Sequence, residues 1–189
     1  MSQTANSSTL TVSMQDLSPL MIALLDEGKE IHIIVTGNSM GPFLRHKRDQ
    51  AVLVKPADPT ALQVGDVPLY RRENGQMVLH RIVERDDGQK RHLYGERESF
   101  PTMHVGGPLT YTMLGDAQTV SEPNIRPEQI VAVATAFIRK GKRLECRSVA
   151  YRRRAVSWHS LMRLRTPLLR LWHLWHGAKN KLTRIFAKK

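Results

Sequence analysis

The sequence predicts a mainly β domain, preceded by a short helix and followed by a basic helical tail. Three observations carry this. Short apolar or alternating runs recur between residues 31 and 144, turn residues separate them, and from about Val149 apolar residues recur at helical spacing among arginines and lysines.

Residues 1–15 are rich in Ser, Thr, Asn and Gln and are expected to be disordered. Asp16 or Ser18 can cap a short helix whose Leu17, Leu20, Met21, Leu24 and Leu25 share a face, with Pro19 tolerated in the first turn and Gly28 ending it. Residues 31–36 are β-branched and mostly apolar, which reads as a strand running into the turn-prone Gly37-Asn38-Ser39-Met40-Gly41-Pro42. Residues 51–55 and 67–71 make further strands. Asn74-Gly75 then marks a hairpin into a run over residues 77–84. Residues 86–107 are polar and read as a long excursion, with a short strand at His92-Leu93-Tyr94 inside it. Residues 111–114 and 130–139 complete the strands, the last continuing through Leu144 after Gly141. The expected division is a disordered stretch over residues 1–15, one domain over residues 16–146 and a basic amphipathic helical tail over residues 147–189.

At 189 residues, with 41% hydrophobic and 24% charged, the chain can bury one core. Cys146 is its single cysteine, which excludes an intramolecular disulfide and a thiolate metal cluster, and no metal or organic cofactor is expected. The N-terminus lacks the basic start and apolar stretch of a signal peptide, and no run of about 18 apolar residues occurs. The expected location is therefore the cytoplasm, extending to the inner face of the membrane if the tail binds lipid. The net charge of +12 is concentrated from Arg139 onward, where Glu145 is the only acid.

A serine hydrolase needs a base within reach of its hydroxyl and donors for the developing oxyanion. Ser39 is suited to this, lying between a strand and Pro42 with Gly37 and Gly41 leaving room for a substrate backbone, although the hexapeptide also serves as a plain tight turn. His80, near the end of an apolar run, is a competent base when neutral, yet it is one of eight histidines and structural roles are commoner. Asp116 in Gly115-Asp116, or Glu122 shortly after, could orient it. Glu96, after Gly95, is a rival acid.

The order of these pieces resembles the signal peptidase I and LexA-like serine peptidase superfamily. Gly37 to Pro42 resembles its serine box, Leu62-Gln63-Val64-Gly65-Asp66-Val67 its Gly-Asp strand entry, Val78-Leu79-His80-Arg81-Ile82-Val83 its His-Arg-Ile box, and Gly115-Asp116 its later Gly-Asp motif. The resemblance covers about residues 31–143. It is nearest to the archaeal, endoplasmic reticulum and sporulation-type branch that uses histidine as base, and to small soluble bacterial signal peptidase-like proteins. It implies a β-fold with a Ser39 nucleophile, a His80 base, Asp116 as third member, Glu122 as a second acid, and backbone donors near Gly37, Ser39 and Met40 for the oxyanion. The implied partner is a peptide or protein substrate, cleaved through an acyl-enzyme. Three features depart from the family pattern: Pro68 interrupts a strand, where it should occupy an edge or bulge; the excursion over residues 86–107 separates His80 from Asp116 by more than the pattern expects, which leaves Glu96 as a rival third member; and the family's usual N-terminal membrane anchor is not expected here.

The rival class is a non-catalytic module that docks an extended peptide on an open sheet edge. A self-cleaving LexA-like regulator fits less well, because histidine stands in the base position and no DNA-binding domain precedes the fold. In the tail, Trp158, Leu161, Met162, Leu168, Leu169, Trp172, Trp175, Leu182 and Phe186 fall near one helical face, with Pro167 expected to kink it. Such a helix suits an anionic membrane surface, and it equally suits packing on the domain with its charges solvated. Nucleic acid comes third, since no nucleic-acid motif accompanies the charge.

Overall fold

The computed structural model describes residues 14–96, 98–102 and 105–161. Helix α1 (Met14–Asp26) leads into strands β1 (Ile31–Ile34), β2 (Gln50–Val54), β3 (Pro68–Arg71), β4 (Met77–Leu79), β5 (Arg81–Asp86), β6 (Lys90–Leu93), β7 (Ser99–Pro101), β8 (Thr110–Leu114), β9 (Glu122–Ile125), β10 (Ile130–Arg139) and β11 (Lys142–Glu145), and helix α2 (Val149–Ser160) follows. The fold is mainly β. One antiparallel sheet has the order β1-β2-β10-β3-β4, with β11 also paired to β10, and the other has the order β7-β6-β5-β8-β9.

β10 is the spine of the first sheet because it pairs with β2 on one side and β3 on the other. Its buried Ala132, Ala134 and Ala136 let neighbouring layers approach, and Phe137 fills the space beyond them. One apolar cluster joins Met21 and Leu25 of α1 to Leu53, Leu69, Phe137 and Tyr151. A second joins the sheets through Tyr70, Ile82, Tyr111, Met113 and Ile130. Each fully buried Leu or Phe contributes about 2 kcal/mol through loss of apolar surface from water.

Four differences from the sequence expectations bear on function. The run expected over residues 77–84 divides at His80, which belongs to neither strand: β4 lies in the first sheet and β5 in the second. His80 N–H donates to Pro68 O at 3.3 Å and Ile82 N–H to Asp66 O at 2.9 Å, so residues 66–68 cross between the sheets alongside it. No glycine or proline marks the switch. Pro68 opens β3, which is an interior strand between β10 and β4 and not an edge, and as the first residue of the strand it is at a position where proline is tolerated. The excursion contributes β6 and β7 to the second sheet, not one short strand.

The fourth difference is α2, which is part of the domain. Ser148 caps it by accepting from Tyr151 N–H, and Tyr151, Ala155 and His159 at four-residue spacing are buried against the sheets. The boundary expected after Cys146 therefore precedes a packed element. The remaining tail positions from Met162 onward lie outside the described residues, as do residues 1–13.

Candidate active site

β1 ends at Ile34, and the chain turns through Gly37, whose φ of +85° favours glycine. Gly37 N–H donates to His46 Nδ1 at 2.8 Å, Gly41 N–H to Asn38 O at 3.1 Å, and Leu44 N–H to Met40 O at 2.9 Å. The Met40 side chain is only 2% exposed and anchors the turn in the core, leaving Ser39 half-buried at the surface. Neither the Ser39 nor the Met40 amide donates to another described residue.

Ser39 and His80 line one pocket of about 310 Å³. Residues 33–36 from the β1 side and Met77, Val78 and Leu79 of β4 form its walls, so the two edge strands of the first sheet curl round a common space. Gln118 and Arg72 supply further polar groups.

His80 is 2% exposed, and burial pushes its imidazole down to about 4, against the pull of Glu122. The ring is neutral at physiological pH. Its Nδ1 lies 3.3 Å from Tyr70 Oη and 3.3 Å from Glu122 Oε1. Glu122 is itself held by Arg72, whose Nε donates to Oε2 at 2.7 Å and whose Nη2 donates to Oε1. Arg72 keeps the Glu122 carboxyl below its ordinary value. Burial first, then the hydrogen bond to Glu122, raises Tyr70, so its phenol stays a donor. Nδ1 faces these two oxygens, and Nε2 is the other ring nitrogen.

Asp116 is placed elsewhere. Its carboxylate is fully buried and receives Arg81 Nε on Oδ1 at 2.8 Å and Arg81 Nη2 on Oδ2 at 2.8 Å, with His159 Nε2 2.7 Å from Oδ1. Burial alone would raise this carboxyl, but the Arg81 guanidinium outweighs it and holds the group at about 2. Arg81 also donates to Gly65 O at 2.9 Å and Tyr151 Oη at 2.7 Å, and it lies against the rings of Phe43, Tyr94 and Tyr151. The acid expected to orient His80 is thus engaged in a structural ion pair, and the carboxylate at the ring is Glu122. Glu96 is exposed in the turn after β6.

Asp116 nonetheless supports the site through its backbone. Ala117 N–H donates to Ser39 O at 2.7 Å, and Gly115 approaches so closely that a Cβ there would lie 2.7 Å from Ser39 O. Tyr70, Arg72 and Gln118 were not singled out from sequence. Tyr70 of β3 and Arg72, one residue beyond its end, carry a signal only in hindsight, as positions two apart along extended backbone. Cys146 offers no competing nucleophile, since burial pushes its thiol up to about 12. Among the described residues, no three His, Cys, Asp or Glu side chains gather as a metal site requires. No protein-family model matches the chain, and no curated protein is significantly similar to it.

Proposed function

We propose that the protein is a serine endopeptidase of the signal peptidase-like type, with Ser39 as nucleophile, His80 as general base and Glu122 as the acid behind it. The Ser39 hydroxyl proton passes to His80 Nε2 as Oγ bonds to the substrate carbonyl carbon. The oxyanion is held by the Ser39 and Met40 amides. Collapse breaks the C–N bond, the leaving amine takes the proton back from His80, and water then hydrolyses the ester by the same route. Glu122 stabilises the transient imidazolium.

The observation that carries the reading is that Ser39 and His80 line one pocket while a carboxylate anchored by Arg72 lies at Nδ1 of the imidazole. The two exposed strand edges beside that pocket suit an extended peptide, whose backbone could pair with either. Incubating the protein with a mixture of unstructured peptides and identifying products by mass spectrometry tests it. The reading expects cuts that vanish in Ser39→Ala; cuts that persist in Ser39→Ala, or none at all, overturn it.

The low basicity of His80 favours a second reading, a peptide-docking module on the same pocket. It expects peptide capture that Ser39→Ala leaves unchanged and no cleavage by either form.

A second partner we propose is an anionic membrane surface for the C-terminal segment. Residues 162–189 combine Trp172 and Trp175 with eight Lys and Arg and no Asp or Glu. No helix among the described residues is long and apolar enough to cross a membrane. Sedimentation with anionic vesicles at low salt should recover the full chain and not one ending at Leu161; equal recovery overturns the proposal.

A further inference from the structure

Two peptide planes connect helix α2 to the Met40 amide. Trp158 Nε1–H donates to Asp116 O at 2.8 Å. That carbonyl shares a planar trans peptide with Ala117 N–H, which points the opposite way and donates to Ser39 O at 2.7 Å. Ser39 C=O in turn shares a planar trans peptide with Met40 N–H, so fixing the oxygen toward Ala117 fixes the Met40 hydrogen on the other side of the turn. Three donors are thereby arranged head to tail: indole, Ala117 amide, Met40 amide. Each polarises the next.

The start of this relay is held independently of His80. Tyr151 Oη accepts from Arg81, His159 contacts Asp116 Oδ1, and the Phe43 ring meets both Tyr151 and Trp158 edge-on at 6.1 and 6.4 Å. α2 thus backs the turn at two places, through the 115–118 loop and through Phe43.

We propose that Trp158 is a positioning residue that aims and polarises the Met40 amide toward the substrate oxyanion. This rests on the peptidase reading above, because an aimed donor matters only if Ser39 is acylated. Oxyanion donors act through fixed orientation, so removal of the indole N–H lowers the rate of the bond-making step and leaves ligand affinity unchanged.

The test uses a fluorophosphonate, which joins phosphorus to Ser39 Oγ as fluoride leaves and generates an oxyanion-like phosphoryl oxygen. Trp158→Phe keeps a ring against Phe43 and lacks the donor. The saturating rate of labelling is expected to fall about tenfold, with the half-saturating concentration and the pH midpoint unchanged. In the unmutated chain, the Trp158 indole proton resonance is expected to move when Ser39 is phosphonylated, a readout that does not depend on how the variant folds. Labelling of Ser39 at the same saturating rate in Trp158→Phe, with an unmoved indole proton, overturns the positioning role while the peptidase reading stands. If the unmutated chain is not labelled at Ser39, both fall together.

Discussion

Glu122 Oε1 stands 3.3 Å from His80 Nδ1. The contact spans the two sheets, since His80 sits at the crossing from β4 to β5 and Glu122 opens β9. Replacing Glu122 with Gln keeps the shape and removes the charge that stabilises an imidazolium. Ser39 reactivity in Glu122→Gln should fall about tenfold to a hundredfold, with little change in melting temperature. An unchanged rate would remove Glu122 from the site.

Arg81 and Asp116 form a fully buried pair and should behave differently. Arg81→Met leaves the Asp116 carboxylate buried with its main counter-charge gone, at a cost of about 3–5 kcal/mol. Urea unfolding should report that loss directly, and a variant as stable as the parent would contradict the structural role.

The pH dependence follows from His80, whose ring is held at about 4 against an ordinary value of 6.5. A folded value below the unfolded one means that protonation favours the unfolded chain. Stability from this group is intact above pH 6.5 and declines as pH falls from 6.5 toward 4, by about 3 kcal/mol in all. Asp116, held at about 2 against 3.8, extends the decline below pH 3.8. The rate of Ser39 modification should stay at its neutral-pH value down to about pH 5 and halve near 4. A midpoint near 6.5 would mean that the reacting base is a solvated histidine, not this one.

Gly115 should not tolerate a methyl group. A Cβ there would lie 2.7 Å from the Ser39 backbone carbonyl and 2.6 Å from Gln118 Oε1. The Gln118 side chain can move aside, whereas the Ser39 carbonyl is fixed by Ala117. Gly115→Ala is therefore expected to slow Ser39 modification more than it lowers stability, and wild-type kinetics in that variant would show that the turn can shift freely.

The strands were legible because their apolar runs end at real punctuation. Asn74-Gly75 makes the β3–β4 hairpin, and residues 130–139 form β10 with the expected ends. The sheet switch at His80 was not, because an apolar run carries no mark of which sheet it joins. Ser39 and His80 line one pocket. The acids could not be sorted from sequence: Asp116 and Glu122 lie six positions apart, and only the buried Arg81 and the half-buried Arg72 decide which carboxylate each engages. α2 shows a similar limit. A helix was expected from about Val149, but the apolar face was expected to begin at Trp158 and Leu161, whereas the residues α2 buries are Tyr151, Ala155 and His159 and Leu161 is exposed.

The central claim is that Ser39 is a nucleophile activated by His80, and intact-protein mass after exposure to a fluorophosphonate tests it most directly. The account predicts one adduct, mapped to Ser39, lost in Ser39→Ala and strongly slowed in His80→Ala. An unlabelled Ser39, or labelling at an undiminished rate in His80→Ala, would contradict it.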